Sequence, residues 1–301
     1  MPVPDRVSPD SKSALLTTDG AHLFTQQWTA PDPRAVVLLV HGYGEHSGRY
    51  GHVARALCSA GATVLAYDQR GYGRSDGPRA YIDTFDRYLD DLQLVIDHVQ
   101  RHAPDVPLYL FGHSMGGAVV LLYALERRTR GITGLILSSP AIEVDPDIAP
   151  LLRSVARGVG QLLPWLPVVR SPEGVISRDP DVVADAEADP LNYHGRVLAR
   201  TGAEMLRASQ RIQSRTSDLA LPFLIFHGTA DVLTSPYASK RLYETAPSSD
   251  KTLYLYDDLY HETVNEPERD TVIGDICDWL AERLPAPAGD VSGSDSTTTV
   301  G

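Results

Sequence analysis

The sequence predicts an α/β fold, a mostly parallel sheet flanked by helices with one helical insertion, on three observations. Short apolar runs bounded by Gly, Pro or Asp recur along the chain, longer segments of helical period separate them, and one stretch, 141–219, breaks the rhythm. Strand and helix in alternation is the pattern of α/β domains. Runs apolar on both faces are what a parallel sheet needs when helices cover each side.

The expected strands, in order, are 36–40 (VVLLV), 63–67 (TVLAY), 108–111 (LYLF), 134–137 (GLIL), 222–226 (PFLIF) and 252–256 (TLYLY). Between them, 84–101 places Leu89, Leu92, Val95, Ile96 and Val99 on one helical face, and 115–128 and 269–284 show similar patterns. Within 141–219 no strand is expected. There Leu151, Leu152, Val155, Val159, Leu162, Leu163 and Leu166 would line one helix, with Trp165 near its end and Arg153 and Arg157 outside the stripe. Such a stripe either packs on the domain below or forms an apolar lid that meets lipid. The expected division is a core of 1–140 and 220–284, a helical cap of 141–219, and a disordered tail, 285–301, almost without large apolar residues.

Composition narrows the function classes. The 301 residues are 43% hydrophobic and 22% charged, ordinary globular usage that excludes collagen-like and disulfide-scaffold chains. With 27 Lys and Arg against 39 Asp and Glu, the net charge of −12 repels phosphate backbones, so nucleic acid is not an expected partner. Cys58 and Cys277 belong to no CxxC or Cys/His cluster, which gives neither a zinc site nor a disulfide framework. No basic start leads into an apolar run, and no stretch has 18 uninterrupted apolar residues. The expectation is a cytoplasmic protein that at most touches a membrane peripherally.

The sharpest chemical signal is Gly112-His113-Ser114-Met115-Gly116, G-x-S-x-G between an apolar run and a helix-like segment. A serine on so tight a turn projects its hydroxyl above the sheet, and the flanking glycines give the turn room. Its hydroxyl needs a base, and the base needs an acid to hold its tautomer. In the serine-acid-histidine order of an α/β-hydrolase, Asp231 follows PFLIF and His261 follows TLYLY, as acid and base should. Asp257, Asp258 and Glu143 are the competing acids; the first two are too close to His261 in one loop to reach its far nitrogen. An ester oxyanion needs amide donors, and HGYG (41–44) after VVLLV, with the residue after the nucleophile, names the backbone N–H groups of Tyr43 and Met115.

With these residues the chain resembles the monoacylglycerol lipases of the α/β-hydrolase fold, most closely their bacterial members. The matching blocks are HGYGEHSGRY (41–50), YDQRGYGRSDG (67–77), GHSMGG (112–117), ISRDP (176–180), DPL (189–191), HGTADVL (227–233) and YHETVNEPER (260–269), spanning about residues 20 to 283. GHSMGG is shared by many hydrolases; HGxGEHxxRY together with ISRDP is far more specific. The resemblance implies a helical cap over a tunnel for one acyl chain, a polar pocket for glycerol, and no metal or cofactor. It makes Ser114, Asp231 and His261 the triad and Tyr43 and Met115 the oxyanion donors. It also puts Arg49 and Glu45 in the block near the glycerol pocket, Arg49 either touching the substrate head or holding a structural ion pair. Asp68 and Arg70 are expected to buttress the site. The chain departs from the family at Ala186, where related caps commonly carry a tyrosine. A lysophospholipase or general carboxylesterase would use the same residues.

Overall fold

The computed structural model describes residues 7–143, 159–170 and 174–286. Eight strands form one sheet: β1 (Ser11–Leu16), β2 (His22–Trp28), β3 (Ala35–Val40), β4 (Ala62–Tyr67), β5 (Leu108–His113), β6 (Ile132–Ser138), β9 (Phe223–Gly228) and β10 (Lys251–Tyr256), in the order β1-β2-β4-β3-β5-β6-β9-β10. The first two pair antiparallel, β2 joins β4 antiparallel, and all later neighbours are parallel. Each of the six apolar runs is a strand. Two strands not expected are β1 and β2, a hairpin whose first strand is mostly exposed and therefore polar enough to hide its period.

Alternation within each strand feeds two cores. Val36, Leu38 and Val40 of β3 and Leu108 and Leu110 of β5 face one side, joined by helices α2 (Asp86–His102) and α3 (Met115–Glu126). Val37, Leu39, Tyr109 and Phe111 face the other, under α1 (Gly51–Ser59) and α8 (Arg269–Ala281). The expected Leu89-to-Val99 face of α2 is buried as its spacing requires.

Between β6 and β9 the chain leaves the sheet. The described part holds α4 (Val159–Leu162), α5 (Pro180–Ala188) and α6 (Ala199–Gln213). Contrary to expectation it also contains strands, β7 (Pro167–Val169) and β8 (Val197–Leu198), paired antiparallel. They are too short to leave a period in the sequence. The expected leucine stripe is also corrected. Residues 151–158 lie outside the described residues, and the helix ends at Leu162, because Pro164 supplies no N–H and disfavours helical backbone before it. Leu162, Leu163, Trp165 and Leu166 are exposed, although Trp165 stacks on Tyr81 with ring centroids 3.8 Å apart. Asp179 caps α5 by accepting the N–H of Asp181, and α6 packs against α3. Helix α7 (Pro236–Thr245) lies between β9 and β10, capped by Ser235. Residues 287–301, most of the expected tail, lie outside the described residues.

Candidate active site

Strand β5 turns directly into α3 at Ser114, whose φ of 52° and ψ of −117° are strained for any residue with a side chain, at roughly 1–3 kcal/mol. Its neighbours over-determine that backbone. The Ser114 N–H donates to Ser138 O at 2.9 Å, and its carbonyl accepts from Ala118 at 3.1 Å and Ala141 at 3.0 Å. The turn also needs α3 to touch the end of β3: a Cβ on Gly116 would lie 2.1 Å from Val40 O and 2.4 Å from His41 O. Met115, the first residue of α3, is thereby brought against the loop that carries Gly42 and Tyr43.

Asp231 follows β9 in a buried hydrogen-bonded loop. Its Oδ1 accepts from the N–H groups of Leu233 (2.7 Å) and Thr234 (3.1 Å), and its Oδ2 from His261 Nδ1 (2.6 Å) and His227 Nε2 (3.0 Å). Burial alone would raise the pKa of this carboxyl, but the two histidines hold it well below the usual range, so it is ionised and only accepts. Both ring nitrogens therefore donate to it, which leaves Nε2 of a neutral His261 as an acceptor. Burial pulls the His261 pKa down, yet Asp231, helped by Glu262 and Glu45, more than offsets this and raises it. Ser139 Oγ donates to the His261 carbonyl at 2.8 Å and so anchors the loop after β10.

Ser114 and His261 line one cavity of about 530 Å³ with Gly42, Tyr43 and Gly44. The volume is that of a small-molecule site. Its apolar wall comes largely from the insertion: Ile176, Val183, Ala186, Val197, Met205 and Leu206. Glu45, Arg49 and Glu262 also reach it, and Arg49 is ion-paired to both carboxylates at 3.0 and 2.6 Å. His113, beside Ser114, has its ring 4.8 Å from that of His261; burial and the charge of that neighbour push its pKa down to about 4.

Of the five residues expected to carry chemistry, Ser114, His261 and Tyr43 line this cavity with Glu45 and Arg49, while Asp231 bonds to His261 behind it and Met115 follows Ser114 in the chain. The competing acids lie apart: Glu143 pairs with Arg241 at 2.8 Å, and Asp257 and Asp258 are exposed. Asp68 accepts from Ser47 N–H at 2.9 Å and Arg74 N–H at 2.8 Å, while Arg70 pairs with Asp91 at 2.7 Å and Asp19 at 2.9 Å; both brace loops from outside the cavity. Not singled out from sequence were Glu262, His227, Thr234 and Ser139. Glu262 stands inside a matching block, but only the fold shows that it faces Arg49. Among the described residues no group of three His, Cys, Asp or Glu side chains is arranged to hold a metal.

A mostly parallel sheet sandwiched by helices, with a strained serine between strand and helix and an interrupting insertion after β6, defines an α/β-hydrolase. Residues 31–268 match the family model described as serine aminopeptidase, S33. The chain is 36% identical to a monoacylglycerol lipase of Mycolicibacterium smegmatis over 91% of its own length and 98% of that protein's. It is also 36% identical to a Rattus norvegicus monoglyceride lipase, with 90% of each covered. The crystal structure of Paleococcus ferrophilus monoacylglycerol lipase superposes with a TM-score of 0.78 at 32% identity, covering 86% of this chain and 98% of that one. The chain belongs to the monoacylglycerol lipase family and is a carboxylic ester hydrolase.

Proposed function

We propose that the protein cleaves monoacylglycerols to glycerol and a free fatty acid through an acyl-enzyme on Ser114. The observation that carries this reading is the 2.6 Å hydrogen bond from His261 to an ionised Asp231, at the rim of the cavity into which Ser114 opens. His261 Nε2 takes the Ser114 proton as Oγ attacks the ester carbonyl, and the negative charge that develops is met by the amides of Tyr43 and Met115. The imidazolium, stabilised by Asp231, then gives its proton to the departing glycerol oxygen. In deacylation the same base activates water, and the fatty acid leaves.

The charge beside the triad favours a neutral head. Three carboxylates, Glu45, Glu187 and Glu262, line the cavity against two guanidinium groups, Arg49 and Arg170, so its lining carries surplus negative charge that repels a phosphate. A lysophospholipid is therefore the poorer substrate. We further propose that 141–219 acts as a cap whose exposed Leu162, Leu163, Trp165 and Leu166 touch lipid surfaces transiently. Among the described residues no helix is long and apolar enough to cross a membrane.

The test is fatty-acid release from matched monoacyl-, diacyl- and triacylglycerols, a lysophosphatidylcholine and a soluble short ester, each with Ser114→Ala as control. Preference for the monoacylglycerol, lost in the variant, is the expected result. Serine-dependent turnover confined to the lysophospholipid or short ester would keep the mechanism and discard the substrate.

A further inference from the structure

We propose that Arg49 is a positioning residue: its guanidinium ties the loop that carries His261 to the loop that carries the Tyr43 amide. The proposal rests on reading Ser114, Asp231 and His261 as the triad. Arg49 Nη1 donates to Glu45 Oε2 at 3.0 Å and to Glu262 Oε1 at 2.6 Å, and Nη2 donates to Glu262 Oε2 at 2.8 Å. Glu262 is the covalent neighbour of His261. At the other end, Glu45 Oε1 accepts the N–H of Gly42 at 2.5 Å and the Tyr50 hydroxyl at 2.7 Å. A continuous run of charge-assisted bonds therefore passes from the peptide before Tyr43, through Glu45, Arg49 and Glu262, to the base loop.

Both ends of this tie are fixed. Glu262 also accepts from Asn265 Nδ2 at 2.8 Å, and its own N–H donates to Ile176 O at 2.8 Å. At Gly42 there is no slack: a Cβ there would lie 2.9 Å from Glu45 Oε1 and 3.2 Å from Ser114 Cβ. The side chains of Arg49 and both carboxylates are 6–7% exposed, so water is a poor substitute for a lost partner. Both Nη1 protons and one on Nη2 are committed to carboxylates, an arrangement only a planar fork can make. A residue spent this way orients the machinery rather than the glycerol.

His261 is faced by His227 at the end of β9 and Asp231 from the loop after it, by His113 from the serine turn, and by the Glu45, Arg49 and Glu262 cluster. Glu262→Gln removes one negative charge from that shell and Arg49→Met removes the positive one, so the two variants must move the base in opposite directions.

The experiment uses Glu262→Gln, Arg49→Met, Arg49→Lys and the Arg49→Met/Glu262→Gln double variant of the full chain. Each is assayed on 4-nitrophenyl butyrate, which has no glycerol head, and on a monoacylglycerol. Rates are normalised to sites titrated by a fluorophosphonate, which removes unfolded protein from the count. Glu262→Gln and Arg49→Met are each expected to lose on the order of 10²-fold in kcat on both esters, with KM nearly unchanged, as a displaced catalytic group does. The double variant should be no worse than the worse single, and lysine should restore only part of the rate. The acidic limb of kcat/KM should move to lower pH in Glu262→Gln and to higher pH in Arg49→Met. A loss confined to the monoacylglycerol and expressed in KM would overturn the tie in favour of contact with the head, and unchanged kcat on both esters would overturn it outright. Wild-type protein left unlabelled at Ser114 would instead overturn the triad reading beneath it.

Discussion

Gly116→Ala is the most economical test of how the serine turn is built. A Cβ at this position would sit 2.1 Å from Val40 O, and real Cβ atoms do not approach closer than 3.0 Å, so the two must separate by 0.9 Å. Both obstructing atoms are backbone carbonyls, at Val40 and His41, and neither can swing aside as a side chain would. The separation therefore falls between the start of α3, where Met115 lies, and the loop that leads to Tyr43, which are the two amides proposed to meet the oxyanion. A misplacement of about 1 Å costs on the order of 10² in rate, comparable with losing one oxyanion donor. Overpacking also costs about 1–3 kcal/mol of stability. The assay is kcat per titrated site on a soluble short ester together with thermal unfolding. Gly274→Ala serves as control: it lies within α8 with nothing within 4 Å of its Cβ position, so it should raise stability by up to about 1 kcal/mol and leave kcat alone. Wild-type kcat and melting temperature in Gly116→Ala would refute the close-approach argument.

Ser114→Ala should abolish turnover by several orders of magnitude while preserving the circular dichroism spectrum, and Asp231→Asn should cost roughly 10⁴ in kcat by allowing the wrong His261 tautomer. Acid should weaken the fold before carboxylates titrate. Burial lowers the pKa of His41, His52, His98, His113 and His227, so the unfolded chain binds more protons than the native one below about pH 6.5, and stability falls as pH falls until the native rings protonate, near pH 4 for His113. His261, shifted upward, acts in the opposite sense but is one ring against five. A urea midpoint that stays level or rises between pH 6.5 and 5 would contradict this. Replacing Leu162 and Trp165 by Ser should reduce turnover of aggregated lipid more than that of a soluble ester, and equal loss on both would assign the patch to packing.

What the sequence disclosed followed physical rules with a short reach. The parallel strands were legible because burial on both faces leaves an unbroken apolar run, and Ser114, Asp231 and His261 because each follows such a run in a fixed order. Strand β1 was not legible, since its residues are mostly exposed and impose no period, and β7 and β8 are held by pairing rather than composition. The apolar period continues past Pro164 to Leu166, whereas the helix ends at Leu162, because proline breaks helical backbone without interrupting the spacing of leucines. Glu262 and His227 were missed for a different reason. Their roles come from partners 213 and 4 residues away, and only the first of these separations needs the fold to be seen. His227 had a local signal, a histidine four residues before the acid, that strand-and-loop reasoning passed over.

Four of the sequence blocks that carry the family resemblance touch in pairs. Ile176 and Ser177 of ISRDP bond to the backbones of Glu262 and Asn265 in YHETVNEPER, through Glu262 N–H at 2.8 Å and Ser177 Oγ at 3.0 Å. Asp189 of DPL accepts from His46 Nε2 at 2.9 Å, a donor because Nδ1 of that ring accepts the Gly48 N–H, and Tyr193 N–H donates to Gly44 O at 2.8 Å. The insertion is thus stitched at one point to the loop that carries His261 and at another to the loop that carries Tyr43. Arg49 joins those same two loops through Glu45 and Glu262. If Ser114, Asp231 and His261 are the triad, as proposed, a shift of the insertion at either stitch would pull on the loop of His261 or of Tyr43. Val183, Ala186, Met205 and Leu206, which line the cavity, belong to the same insertion, so these two stitches tie the cavity wall to the loops of His261 and Tyr43.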